Sequence, residues 1–371
     1  MHAIRVFVLT CRRPAMLRRA LSSLRAQTVT DWVCELHNDA PEDESPRQLV
    51  AELADPRITL HHHDKNWGAL ATFNHACAGA AEPFFSILED DNWWEPTLLE
   101  RLLAALRDHP DAPMAWANLR FWREEANGSW NDERRTLWPV IDTPIVPISQ
   151  PQLIQFDGPL HSHGAMLVRS AAAAGGRLVV AANAPLGVIE NMRECFFRYP
   201  MLLLPAPLTN FALTLGTARD GHLGRWAGQQ ALLGAAFLRS VRPPREALQR
   251  LWMSRRTARP RATSGLILAG LVARDFHFLS HASPTDWFLL AAGFVRRPFV
   301  TLTALRAPTL QPALNQLFAD ATAALAASTR PVASGQIPPL ALASPADLPA
   351  AWRAATKQTG SPSETQTFKA S

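Results

Sequence analysis

Short apolar runs alternate with amphipathic stretches through the first hundred residues. Ile4-Arg5-Val6-Phe7-Val8-Leu9 has the continuous apolar character of a strand buried on both faces. Pro14 follows where a first helical turn tolerates it, and Leu17, Ala20, Leu21 and Leu24 then recur at helical spacing. Trp32 to His37 reads as a second strand ending at Asn38-Asp39, before the acidic, turn-rich Pro41-Glu42-Asp43-Glu44-Ser45. A third strand runs from Arg57 to His62, and Asn66-Trp67-Gly68 turns the chain into a helix carrying Leu70, Phe73 and Cys77. Phe84-Phe85-Ser86-Ile87-Leu88 is a fourth strand, and Pro96 to His109 a Leu-rich helix. This rhythm predicts an α/β fold, a mostly parallel sheet with helices on both faces. Ligands of such sheets bind outside the carboxyl ends of the strands, where Thr10, Asp39 and Asp91 all fall.

The pattern is less regular from 115 to 215. Trp116 to Trp122 is strand-like, a long polar connection follows through Asn127-Gly128, and Gly164 to Val168 resumes an apolar run. After Arg219 helical signals predominate. Leu266-Ile267-Leu268 and Trp287 to Val295 are too short to span a bilayer and suit either core helices, the preferred reading, or helices lying in an interface. Pro, Ala, Ser and Thr dominate from Ser328, the composition of a disordered tail. The expected division is therefore residues 1–218 as the α/β domain, with halves at about 1–110 and 111–218, then a helical extension over 219–327 and a tail over 328–371.

Charge adds one asymmetry. The net charge is +5, but residues 219–275 hold eleven Arg against Asp220, Glu246 and Asp275, a local +8 that leaves −3 for the remainder. A basic segment behind a mildly acidic domain suits an anionic surface, either the cytoplasmic membrane leaflet or a polyanion, and equally suits solvated helix faces. Cys11, Cys34, Cys77 and Cys195 lack the paired spacing of a disulfide framework or a zinc site. The first residues run straight into a strand pattern without a leader-like apolar core, so a cytoplasmic location is expected, with the inner membrane face open to it.

Candidate chemistry centres on Glu89-Asp90-Asp91, directly after the fourth strand. Adjacent carboxylates repel one another and add no packing, so either a bound cation or a helix N-cap at Asp91 or Asn92 explains them. Oxygen ligands suit Mg²⁺ or Mn²⁺, which can neutralise a leaving diphosphate. His61-His62-His63 is a poor metal site, because neighbouring strand residues point to opposite faces. Trp93, Trp94, Trp116, Trp122, Trp130 and Trp138 crowd one region, and one or two of them are expected to line a cleft.

Taken in order, these segments resemble the family 2 glycosyltransferases of GT-A fold. Val8-Leu9-Thr10-Cys11-Arg12-Arg13-Pro14 resembles the family's opening, and Leu21-Ser22-Ser23-Leu24-Arg25-Ala26-Gln27-Thr28 its following stretch. Asn38-Asp39 stands at the acidic pair that contacts the nucleobase, and Lys65-Asn66-Trp67-Gly68, with Asn74 behind, at the turn beside the nucleotide. Glu89-Asp90-Asp91 matches the metal-binding D-x-D, and Trp94-x-Pro96 continues the pattern. The likeness is good over residues 4–110 and loose over 110–215. It departs from the family at Glu89, where Asp is usual, and at Glu190-Asn191, where Glu-Asp is common and the Asp is the base.

The resemblance implies an inverting, metal-assisted transfer from a nucleoside-diphosphate sugar to a hydroxyl of a surface polysaccharide, lipid-linked glycan or protein. Thr10, Arg12, Asp39, Lys65, Asn66, Gly68, Asn74 and Asp90 would hold the donor, and Asp91 and Glu89 the metal. Asp91 and Glu190 are the catalytic candidates. Glu190 would act as base because Asn191 cannot accept a proton, with Asp157 and His163 as further candidates. His161, His163 and Trp94 fall on the acceptor side. A sugar nucleotidyltransferase would need a Gly-rich loop after the first strand, which Thr10-Cys11-Arg12-Arg13-Pro14 lacks. A non-catalytic scaffold that keeps the nucleotide pocket is the other alternative, and a nucleic-acid partner is not expected.

Overall fold

The first strand, β1 (Ile4–Thr10), is flanked on both sides by parallel partners, which explains why every residue except half-buried Arg5 is buried. In this computed structural model the described residues are 2–149, 153–156, 158–180, 182, 184, 186–194, 196–215, 223–258, 263–299 and 302. β2 (Trp32–Asn38) pairs with β1 so that Thr10 lies opposite Asn38, and β3 (Ile58–His62) extends the sheet beyond β2. β4 (Phe84–Glu89) pairs with the other edge of β1, Leu9 opposite Glu89. Four parallel strands therefore end together, with Thr10, Asn38-Asp39, His62 and Glu89 along one edge.

Helix α1 (Pro14–Arg25) buries the predicted face of Leu17, Ala20, Leu21 and Leu24. The acidic segment expected to be only turn-rich leads into α2 (Ser45–Leu53), which buries Pro46 and Leu49 alone among its residues. Two buried positions are too few for the periodicity to announce a helix. α3 (Ala69–Cys77) and α4 (Leu98–Asp108) fall where expected. The short β5 (Trp93–Trp94) lies between the fourth strand and α4.

β6 (Met114–Glu124) and β7 (Trp130–Thr136) form an antiparallel pair, so the polar connection through Asn127-Gly128 is a hairpin. β8 (Val146–Ile148) pairs with the long β10 (Met201–Leu213). β9 (Met166–Arg169) lies between β4 and β6 and is antiparallel to both. That reversal matters, because a strand running against β4 begins at the edge where β4 ends. Residues 161–165, just ahead of β9, are thereby delivered to the common edge. The sheet order is β3-β2-β1-β4-β9-β6-β10-β5.

Alternation along β1 divides the core. Ile4, Val6 and Val8 pack with α1, α2 and α4, whereas Phe7 and Leu9 join α3 on the opposite face. After α5 (Ser170–Ala173) and α6 (Ile189–Glu194), the C-terminal helices α7 (Leu223–Val241), α8 (Arg245–Ala258) and α9 (Thr263–Ala273) contribute Leu232, Leu251 and Ile267 to that second face. The basic extension thus shares a hydrophobic core with the sheet. Leu266 and Ile267 are buried, as expected for a core helix. The second candidate differs. Following α10 (Phe276–Leu279), α11 (Pro284–Arg296) exposes Phe288 and Val295 at 70% and 80%. Its capping box at Ser283 and Asp286 supplies start signals independent of packing. The expected tail over 328–371 lies outside the described residues.

The β6–β10 register slips twice between Leu204 and Thr209, where Pro205 and Pro207 cannot donate ladder hydrogen bonds. Buried Asn118 repairs the gap. Its amide donates to the Trp138 and Pro205 carbonyls at 2.6 and 3.0 Å, and its oxygen accepts from Leu119 and Trp138 N–H at 2.9 and 2.8 Å. Asn118→Ala should lower unfolding free energy by about 2–3 kcal/mol in chemical denaturation, by stranding buried backbone groups.

Candidate functional site

The edge where β1 and β4 end is closed by Asp90. Its Oδ2 accepts from the Thr10 hydroxyl at 2.8 Å and from Cys11 N–H at 3.2 Å, while its own N–H donates to the Leu9 carbonyl. Thr10 and Asp90 therefore brace each other. Arg13 reaches back from the start of α1 to donate to Asp91 Oδ2 at 2.6 Å, with Asp90 Oδ1 at 3.3 Å. Arg12, expected at the donor, instead turns outward to an exposed ion pair with Glu42.

Asp39 is buried and organises the neighbouring turn. It accepts from Trp67 N–H at 2.6 Å and Gly68 N–H at 2.9 Å, and faces His63 Nδ1 at 3.1 Å. Asn66 Nδ2 donates to the Asp39 carbonyl at 2.8 Å. Gly68 has φ of +82°, which a glycine adopts without strain. Asp39, Asn66 and Gly68 thus form one unit beside Thr10, with Lys65 exposed just ahead of it. Asn74 lies elsewhere in function, its amide bridging Val180 N–H and carbonyl and accepting from Arg193. With its hydrogen bonds spent on protein groups, Asn74 is a strut and not a free donor ligand.

On the other side of Asp91, Glu89 projects among carboxylates. Its Oε2 accepts from Asn92 Nδ2 at 2.8 Å, and Gly164 packs so closely that a Cβ there would sit 3.2 Å from both groups. Burial and the charges of Asp91, Glu190 and Asp90 push the Glu89 carboxyl well above its usual range. Burial and Asp91 likewise raise Asp90 to about 6, and burial raises Asp91 against the pull of Arg13. This crowding of oxygen donors, with more negative charge than Arg13 cancels, fits a hard divalent cation at Asp91 and Glu89.

Helix α6 supplies the facing wall. Glu190, Arg193 and Glu194 recur at i, i+3 and i+4, so they share one side. Glu190 Oε1 accepts from His163 N–H at 2.8 Å and lies 3.4 Å from His163 Nδ1. Arg193 donates to His163 Nε2 at 2.8 Å, which leaves the ring proton on Nδ1, toward Glu190. Burial and the Arg193 charge hold His163 well below its usual pKa, so it is neutral. Burial raises Glu190, opposed by the His161 charge and the His163 N–H bond. Buried His161 contacts Glu194 through Nδ1 at 2.6 Å, and its Nε2 meets no hydrogen-bond partner among the described residues. Asp157 lies outside the described residues.

Trp94 requires correction as an acceptor residue. It is 3% exposed and donates its indole N–H to the Gly164 carbonyl at 2.7 Å, so it fixes the Gly164 loop and offers no ring face. Trp116 and Trp138 are also core. Trp93, Trp122 and Trp130 form the accessible group, with Arg19 between Trp93 and Trp130 at 3.8 and 4.1 Å from the ring centroids. Sequence reasoning overlooked Arg13, Arg193 and Glu194. The helical spacing from Glu190 could have flagged the last two, whereas no local pattern separates Arg13 from Arg12. Arg193→Met should raise the His163 pKa toward its ordinary value, while burial still keeps it lower. Histidine ¹H–¹⁵N spectra across a pH series would read the shift.

Residues 5–172 match the family described as Glycosyl transferase family 2. A protein of Escherichia coli K12 described as a colanic acid biosynthesis glycosyl transferase, WcaA, is 33% identical over 102 residues, 27% of this chain and 37% of that one. A Bacillus subtilis 168 protein described as a glycosyltransferase, EpsH, is 30% identical over 111 residues, 29% of this chain and 32% of its own. The chain thus spans about a third of the length of these curated relatives. Among solved structures, S. aureus TarS 1-349 in complex with UDP-GlcNAc aligns over 86% of this chain and 91% of that one, with a TM-score of 0.53 and 13% identity. At that identity the likeness concerns the fold, which is of GT-A type. The segment that begins at β1 and carries the Glu89-Asp90-Asp91 edge is thus similar to glycosyl transferase family 2, whose model it matches over residues 5–172.

Proposed function

We propose that the chain transfers a sugar from a nucleoside-diphosphate sugar to a hydroxyl acceptor, with inversion at the anomeric carbon. The observation that carries this reading is the meeting of Asp91 and Glu89, at the sheet edge, with Glu190 on α6, where burial first and then the charges of Asp91 and Glu190 raise the Glu89 carboxyl. The Asp39–Gly68 unit and Thr10 supply the donor end, the base lying near Asp39 and its turn. Residues 1–110 then serve the donor and 111–218 the acceptor, while α7, α8 and α9 of the extension pack into the core of the sheet.

Glu190 is the general base. Its raised pKa makes it a better proton acceptor than an ordinary surface carboxylate, and the His163 backbone N–H fixes one oxygen while the other stays available. His163, locked by Arg193, positions Glu190. Asp91 and Glu89 would hold Mg²⁺ or Mn²⁺, which when bound neutralises charge on the leaving diphosphate. Arg13 already pairs with Asp91 and places a second positive group at the same edge. Partly exposed Trp93, Trp122 and Trp130 would offer ring surface to an acceptor glycan, and buried His161 and His163 would support the acceptor wall through Glu194 and Glu190.

The acceptor class is a surface polysaccharide, lipid-linked glycan or protein. Contact with an anionic membrane would use the Arg-rich helices and the exposed apolar side of α11. Among the described residues no helix is long and apolar enough to cross a membrane. The scaffold alternative draws on Asn191, and turnover separates the two readings.

Asp91→Ala should abolish metal-dependent release of nucleoside diphosphate; full activity in that variant would sink the proposal. Glu190→Gln should lower kcat by about 10²–10⁴-fold with donor KM little changed. In the wild type, kcat should fall as pH drops through the Glu190 pKa, because the protonated acid cannot accept the acceptor proton. That limb should lie above the ordinary carboxylate range, as a pH–rate profile would show.

A further inference from the structure

Behind Asp39, on the face of β2 that looks toward α3, a cluster of imidazoles remains that the transfer reaction does not use. Glu35 and His37 share this face two residues apart, and His75 projects from α3 to meet them. Glu35 Oε2 lies 3.3 Å from His37 Nε2 and 3.7 Å from His75 Nε2. One ligand atom from each of the three residues lies within 4.8 Å of the others.

We infer that Glu35, His37 and His75 form a binding site for a four-coordinate transition-metal ion of the zinc class, separate from the Asp91 edge. Donors held at zinc distances on a tetrahedron are about 3.4 Å apart, which is close to both measured edges. Two imidazoles and one carboxylate favour zinc-like ions over Mg²⁺. His37 is buried, whereas the His75 side chain is 44% exposed, which leaves an entry path and room for water as fourth ligand. Arg5 pairs with both Glu35 and Glu82, so two carboxylates share one guanidinium and a net negative charge remains beside the rings.

The hydrogen bonds behind the cluster point the same way. His37 Nδ1 faces His63 Nε2 at 3.1 Å, and His63 Nδ1 faces Asp39 Oδ1 at 3.1 Å. Carboxylates stand at both ends of this chain and accept from the rings. Its three links need three ring protons, one more than two neutral imidazoles carry. An ion on His37 Nε2 removes the excess demand: His37 Nδ1–H donates to His63, and His63 Nδ1–H donates to Asp39. This is the outer-shell arrangement that orients metal-bound histidines. His61 stacks on His37 and His62 turns to the Pro41 carbonyl, so the three consecutive histidines do not themselves chelate.

The test uses the full chain, freed of metal by chelation and titrated with Co²⁺ and then Zn²⁺, without nucleotide. One equivalent of Co²⁺ should give the intense visible absorption of a four-coordinate site, and Zn²⁺ should abolish it. His75→Ala and Glu35→Gln should each weaken Co²⁺ binding at least about tenfold, while Asp91→Ala leaves it intact. Absence of the intense band in wild type, its persistence in His75→Ala, or its loss in Asp91→Ala would overturn the assignment. None of these readings depends on sugar transfer.

Discussion

The hydrogen bond between Thr10 and Asp90 is the tie on which the site depends. It joins the ends of two parallel strands at the point where the chain must leave both. A sheet of this kind collects its loops at one edge, but only a specific bond decides how two adjacent loops meet. Once Asp90 is committed to Thr10 and Cys11, its neighbours Glu89 and Asp91 are left to face the cleft. Their mutual repulsion is held in place by a fold whose stability lies in the two hydrophobic layers above and below.

The opposite wall is assembled from residues distant in sequence. Reversed β9 brings His163 and Gly164 to the edge, and α6 brings Glu190 against them. Gly164 is small enough to lie against Glu89 and Asn92, while the Trp94 indole holds its carbonyl. The proposed site therefore comprises the edge where β1 and β4 end and a second wall fastened through Arg193, His163 and Asn74. Burial in this closure raises the pKa of Glu89, Asp90, Asp91 and Glu190.

Parallel strands buried on both faces write themselves plainly in sequence, so β1, β2 and β4, with α1, α3 and α4, are legible from apolar runs and spacing, β3 shows as an alternation, and α2 does not show. Asp39 and the acidic triplet could be placed at the strand ends for the same reason. What could not be read depends on pairing. β10 carries two prolines and register slips, and β7 looks polar because it pairs at the sheet margin. Trp94 and Trp93 are adjacent and chemically identical, yet the pleat buries one and leaves the other accessible. Arg12 and Arg13 diverge similarly, one toward Glu42 and the other toward Asp91. Asn74 resembled a donor ligand by position, but its tertiary partners Val180 and Arg193 lie more than a hundred residues away.

The central claim is that this edge binds and turns over an activated sugar nucleotide. The most direct measurement incubates the purified chain with a panel of nucleotide sugars, with Mg²⁺ or Mn²⁺ and then with chelator, and records nucleoside diphosphate release. The account predicts release from at least one donor, lost on chelation. Binding of nucleoside diphosphates without turnover of any donor, across a range of hydroxyl acceptors, would contradict it.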